Sequence, residues 1–219
     1  MNDERKITTQ DVLRAYVNGY FPMADSREDD DIFWVEPEER GVFPLDSFHI
    51  PKSLIKTIKK EPFTITVDRA FAAVMKGCAS PLKGREDTWI NHKIFDLYTQ
   101  LHKDGFAHSV ECWRDGKLVG GLYGIVINAA FFGESMFHLE TDASKIALVY
   151  LVARLKYGGF KLLDAQFITE HLTRFGAVTM PQEDYLKELN VAVHESADFY
   201  SLGEDCSPTR VLQLITQTS

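Results

Sequence analysis

Cysteine is scarce in this 219-residue chain: Cys78, Cys112 and Cys206 are the full set, and they lie far apart in sequence. No CxxC pair and no Cys/His cluster with metal-ligand spacing occurs, so neither a disulfide framework nor a zinc site is expected. Such usage fits a reducing compartment. Long apolar runs are missing too. None approaches the ~18 residues that a membrane-spanning helix needs, and the start, Met1-Asn-Asp-Glu-Arg-Lys6, has no apolar signal region. Together these features predict a cytoplasmic protein. Positive charge is in deficit: 24 Lys and Arg stand against 32 Asp and Glu, a net charge of −8. That argues against general nucleic-acid binding, which works by neutralising phosphates. A local basic patch stays open, because the field that matters is local. Two familiar motifs also stop short. Gly133-Glu-Ser-Met-Phe137 has a phenylalanine where a nucleophile elbow needs its second glycine, and Gly120-Gly-Leu-Tyr-Gly124 lacks the spacing of a phosphate loop.

What is present is enough for a real core, with 45% hydrophobic and 26% charged residues. Thr8 or Thr9 can cap a helix carrying Val12, Leu13, Tyr16 and Val17, and Gly19 ends it. Further helices are expected over 51–60, 69–77, 91–103, 142–157, 169–175 and 181–189. The helix at 142 is apolar on most sides, so it should be buried; Thr141, Asp142 and Ser144 open it. Strands are expected over 63–67, 107–113, 117–127, 129–137 and 160–168, with Asp115-Gly116 as a tight hairpin turn. The order predicts an α+β fold. A division near the polar 80–88 loop would leave a small mixed domain, 1–85, before a larger one, 86–219.

Two carboxylates lie in strands that should be buried. Alternation puts Asp164 and Gln166 on one face, ~7 Å apart, and groups Phe132, Glu134 and Met136 on another. A buried carboxylate is costly unless paired or hydrogen-bonded. Backbone N–H groups or an arginine would satisfy one such acid as a purely structural group. Two acids plus a glutamine in neighbouring strands favour a polar cluster in an apolar cleft. Of the seven scattered histidines, His171 stands out because it follows the Asp164–Gln166 strand. Lys52, Lys56, Lys59 and Lys60 gather on one face of their helix. A solvated face and a phosphate-binding face are evenly weighted there.

At these residues the chain resembles the leucyl/phenylalanyl-tRNA–protein transferases. The likeness runs from Tyr16 to Leu186 through Gly19-Tyr-Phe-Pro-Met23, Trp34-x-x-Pro37-x-x-Arg40-Gly41, Thr88-Trp-Ile90, Val119-Gly-Gly-Leu-Tyr-Gly124, Phe132-Gly-Glu-Ser-Met-Phe137, Ala143-Ser-Lys145 and Leu163-Asp-x-Gln166. The resemblance implies an enzyme that moves Leu or Phe, and Met less well, from aminoacyl-tRNA to proteins beginning with Arg or Lys. The new N-terminus would mark them for degradation. It further implies a GNAT-like C-terminal domain with a mainly antiparallel sheet, no metal or organic cofactor, and a monomer. By the same resemblance Asp164 and Gln166 form the catalytic pair. Met23, Leu122, Phe131 and Glu134, with Leu151 and Leu163 nearby, form the aminoacyl pocket, and the four lysines face tRNA. Glu134 would hold the ammonium of the aminoacyl group or position the pair; Asp164 would orient Gln166 or accept the proton. His138, Arg174 and Gln182 depart from the family pattern. A coenzyme-A-dependent acetyltransferase would need a glycine-rich turn before the long helix, where this chain has Glu140-Thr-Asp-Ala-Ser144. A non-catalytic RNA-binding module would leave the Glu134, Asp164 and Gln166 cluster without a role.

Overall fold

Thr8 opens the first helix, α1 (Thr9–Val17), with a reciprocal cap. Its hydroxyl accepts the Asp11 N–H at 3.2 Å, and the Asp11 carboxylate accepts the Thr8 N–H at 3.0 Å. Two otherwise orphaned donors are satisfied, and Val12 and Tyr16 turn inward one turn apart. The computed structural model describes residues 6–81, 87–203 and 206–216. After α1 come the short strands β1 (Phe21–Met23) and β2 (Phe33–Val35), paired with each other, then β3 (Glu39–Phe43), α2 (Lys52–Ile58), β4 (Thr64–Val67), α3 (Phe71–Ala79) and α4 (His92–Lys103). The strands β5 (Ala107–Arg114), β6 (Lys117–Ile127) and β7 (Ala130–His138) form the meander, with Asp115 and Gly116 both left-handed at the turn. The buried helix α5 (Ala143–Tyr157) leads to β8 (Leu162–Gln166), α6 (Glu170–Thr173), β9 (Val178–Pro181), α7 (Gln182–Ala192) and α8 (Pro208–Thr216).

Among the described residues seven strands form one sheet in the order β4-β5-β6-β7-β8-β3-β9. Every pairing is antiparallel except β7 with β8. The fold is therefore α+β with a mainly antiparallel sheet, preceded by the small α1–β1–β2 unit. The expected division at residue 85 falls in 82–86, outside the described residues; β3 and β4, which precede it, belong to the same sheet as the strands that follow. Helix α5 covers one face with α8, packing on Leu122, Phe131 and Leu163. Helices α1, α3, α4 and α7 cover the other, with Tyr16, Tyr98, Phe132, Leu162 and Tyr185 in a second core.

Two irregularities position the site. In β7 the register runs Tyr123↔Ser135 and then Gly124↔Gly133, so Glu134 is an extra residue. In β8 it runs Val42↔Asp164 and then Gly41↔Gln166, which leaves Ala165 extra. The bulge at Glu134 reverses the alternation beyond it. Met136 thus packs with the α5-side core while Phe132 lies in the opposite one, which corrects the expected grouping of Phe132 with Met136. The glycines of β6 serve close approach: a Cβ on Gly124 would lie 2.3 Å from the Phe132 carbonyl oxygen and 2.4 Å from the Phe131 ring. Asp142 also departs from expectation. Its backbone is left-handed and its side chain caps no N–H; the carboxylate instead pairs with Lys145 Nζ at 2.6 Å.

Candidate active site

The parallel strands β7 and β8 pair only from Ala130–Phe132 against Leu162–Asp164. Beyond that they carry the two bulges, and a cavity of about 340 Å³ lies among their outgoing ends, lined by Gly133–Met136 and Leu163–Phe167. Strand carboxyl ends are where a sheet can expose polar groups to a ligand without breaking its ladder. Phe21, Pro22, Met23 and Trp89 also line the cavity, as do Leu148 and Leu151 of α5, Leu122, Met136 and His171. It is thus a largely apolar hollow with a few convergent polar groups.

Asp164, fully buried, is held on both oxygens. Arg40 Nε reaches each at 3.0 Å and Nη2 reaches Oδ2 at 2.6 Å; the Tyr185 hydroxyl donates to Oδ2 at 2.7 Å. The remaining bond carries the effect forward. The Gln166 backbone N–H donates to Asp164 Oδ1 at 2.7 Å, and Gln166 has a left-handed backbone, φ 53°, a conformation that costs a non-glycine residue of order 1–3 kcal/mol. Asp164 thereby fixes the glutamine. Its Nε2 donates to Glu134 Oε1 at 3.0 Å. Because a carboxylate accepts there, the amide nitrogen must face Glu134, and Oε1 is turned away from it.

Glu134 is half-buried and receives two phenols as well: Tyr16 donates to Oε1 at 2.6 Å and Tyr98 to Oε2 at 3.1 Å, the two hydroxyls being 2.6 Å apart. Burial pushes the carboxyl up from 4.5 to about 7, against the lowering effect of these hydrogen bonds. Burial, then the Glu134 charge, pushes both phenols well above their ordinary range, so they remain donors. Among the described residues no three His, Cys, Asp or Glu side chains group as metal ligands, and no helix is long and apolar enough to cross a membrane.

Two family models match the chain: the leucyl/phenylalanyl-tRNA protein transferase N-terminal domain over residues 5–38, and leucyl/phenylalanyl-tRNA protein transferase over residues 42–190. A leucyl/phenylalanyl-tRNA–protein transferase of Nitrobacter winogradskyi is 56% identical over 200 residues, covering 91% of this chain and 89% of its own. Those of Maricaulis maris and Phenylobacterium zucineum are 51% and 54% identical, covering 98% and 96% of this chain and 100% and 97% of their own. The chain belongs to the leucyl/phenylalanyl-tRNA protein transferase family.

Of the residues that resemblance to these transferases singles out, Asp164, Gln166 and Glu134 come together, and Met23, Leu122, Leu151 and Leu163 line the cavity beside them. Phe131 does not line it. Its ring is fully buried behind the wall, stacked on Phe199 at 5.9 Å. Lys52, Lys56, Lys59 and Lys60 are exposed on or just after α2, whose Leu54 and Ile58 anchor it in the α5-side core. Arg40, Tyr16, Tyr98 and Tyr185 received no role from the sequence. A signal existed: tyrosines on the apolar stripes of α1 and α4 need acceptors once buried, and Glu134 was the acid without a partner.

Proposed function

We propose that this cavity transfers leucine or phenylalanine, and methionine less well, from aminoacyl-tRNA to the α-amine of proteins beginning with Arg or Lys. The enzyme acts as a cytoplasmic monomer, and the new N-terminus directs the product to proteolysis. The observation that carries this reading is the convergence of Glu134, Gln166 and Asp164 on one apolar hollow. The aminoacyl ester is already activated, so what the reaction lacks is alignment and somewhere for a proton to go. Leu122, Leu151, Leu163 and Met23 take the large apolar side chain. Such wells discriminate by only ~1–3 kcal/mol per methylene, which suits mixed use of Leu, Phe and Met.

The Gln166 Oε1 accepts an N–H of the attacking amine and aims its lone pair at the ester carbon. Asp164 has both oxygens committed to Arg40, Tyr185 and the Gln166 N–H, so it orients. Glu134 takes the proton as the C–N bond forms: a carboxyl titrating at about 7 is matched to an amine of pKa ~8. Ionisation of Glu134 therefore contributes to kcat/KM a rising limb with its inflection near 7, deprotonation of the amine contributes a second, and any group that must stay protonated contributes a falling one. Tyr16→Phe removes the strongest hydrogen bond that lowers the Glu134 pKa, so the first inflection moves to higher pH and the second stays. A profile unchanged by Tyr16→Phe would remove Glu134 as proton acceptor.

Lys52, Lys56, Lys59 and Lys60 contact tRNA phosphates. Changing Lys56, Lys59 and Lys60 to Glu raises KM for aminoacyl-tRNA and flattens its salt dependence, and leaves an aminoacyl-adenosine donor nearly unaffected; equal damage with both donors would place them elsewhere. The overall reading is tested with charged Leu-tRNA and peptides beginning with Arg, Lys, Asp or Ala, followed by mass spectrometry. Leucine addition to the Arg and Lys peptides alone is expected, and no addition to any of them would refute it.

A further inference from the structure

The scheme above moves a proton off the attacking amine but supplies none to the ribose oxygen that must depart. An alkoxide is a poor leaving group, and a positioned acid there contributes typically ~10²–10⁴-fold. We propose that His171 donates the proton taken by that oxygen as the ester breaks; this rests on the transfer reading.

His171 lies in α6 just after β8 and lines the same cavity as Glu134 and Gln166. It comes from a different element, α6 rather than β7 or β8. The charges that act most strongly on it are Lys145, His138, Arg174 and Asp142, of which Lys145 pairs with Asp142 at 2.6 Å and Arg174 with Glu170 at 2.8 Å. Lys145 and Arg174 are cationic, and His138, Asp142 and Lys145 flank the first turn of α5, where the backbone dipoles are also positive. Negative charge developing on the departing oxygen is favoured on this side and disfavoured beside Glu134. The cavity thus holds a proton acceptor, Glu134 on β7, and a proton donor, His171 on α6.

The imidazole is also available. Among the described residues neither ring nitrogen has a hydrogen-bond partner, while the ring is held edge-on against Phe175 at 5.4 Å, a buried side chain stacked in turn on Phe48. Burial and the neighbouring cations lower the His171 pKa, which makes its protonated form a stronger acid but a smaller fraction of the enzyme, so kcat/KM carries a falling limb from His171 as pH rises. In the step itself, the ester carbon–oxygen bond breaks with its electron pair passing to the ribose oxygen, which takes the His171 ring proton. The C–N bond has already formed and the amine proton is on Glu134. Glu134 then releases its proton to water and His171 recovers one, so no proton is gained or lost overall.

The test compares two donors, leucine esterified to the 3′-oxygen of 2′-deoxyadenosine and of 2′-deoxy-2′-fluoroadenosine, with an Arg-initiated peptide as acceptor. Both lack the vicinal hydroxyl that could relay a proton, and fluorine makes the leaving oxygen a better leaving group. Wild type should use the two at similar rates. His171→Gln and His171→Ala should lose about 100-fold or more with the deoxy donor, and should recover at least about tenfold with the fluoro donor. Equal losses with both donors, or no loss with either, would overturn the assignment. So would wild type failing on both while using leucyl-adenosine, since the vicinal hydroxyl would then supply the proton. No transfer from leucyl-adenosine or Leu-tRNA defeats the transfer reading itself.

Discussion

Glu134→Gln is expected to lose transfer by about 10²–10⁴-fold and yet to fold more stably than wild type above pH 7. Both effects come from the same carboxyl. In the unfolded chain a glutamate ionises near its ordinary value of 4.5, whereas in the fold Glu134 keeps its proton to about 7 because burial disfavours the charge. Between those values the native state binds the extra proton, so wild-type stability falls as pH rises through the window and levels off above it. The displacement corresponds to at most about 3 kcal/mol, and to less with the partial solvent access of this side chain. Glutamine removes that penalty. Its carbonyl can still accept from Tyr16 and Gln166, although its amide group no longer accepts from Tyr98, which offsets part of the gain. Urea melts at pH 5 and pH 8 should show the variant's advantage appearing only at the higher pH. An unchanged difference between the two, with transfer retained, would mean that Glu134 is an ordinary buried acid.

Much of the scaffold was legible because its signals are local. The Thr8 or Thr9 cap, the Asp115-Gly116 turn and the apolar helix α5 are each written within a few residues, and each was found where expected, with Thr8 taking the cap. The elements without an assignment were short or featureless: β1 and β9 have three and four residues, too few for alternation to register, and α8 follows an irregular segment. The grouping of side chains along β7 failed for a different reason. One extra residue at Glu134 reverses every later position, and bulges have no reliable signature in alternation itself. The resemblance placed Phe131 in the pocket wall, whereas its ring is fully buried and stacks on Phe199. The site's acids could be suspected from sequence because charge in an apolar strand is costly. Their partners could not, since Arg40 sits 124 residues before Asp164 in Glu38-Glu-Arg-Gly41, which reads as surface.

That pair supports the other large effect. Arg40→Met should cost about 3–5 kcal/mol of stability, because it leaves a fully buried carboxylate without its cation. The loss is wider than one ion pair. Arg40 also donates to the Gly19 carbonyl at 3.0 Å and lies 4.7 Å from the ring centroids of both Phe21 and Tyr185, so it ties the Phe21–Met23 wall of the cavity to the strand that carries Gln166. Replacing both partners, Arg40→Met with Asp164→Leu, should recover much of the stability, since the desolvated charge is gone and apolar groups fill its volume. Activity should not return. Without the Asp164 carboxylate the side-chain hydrogen bond to the Gln166 N–H is lost, and with it a support of the left-handed backbone that aims its amide at the cavity. Denaturant melts and transfer assays on the two single variants and the double variant form one cycle. Recovery of activity alongside stability would show that the buried pair serves the fold alone and that Gln166 finds its position without it.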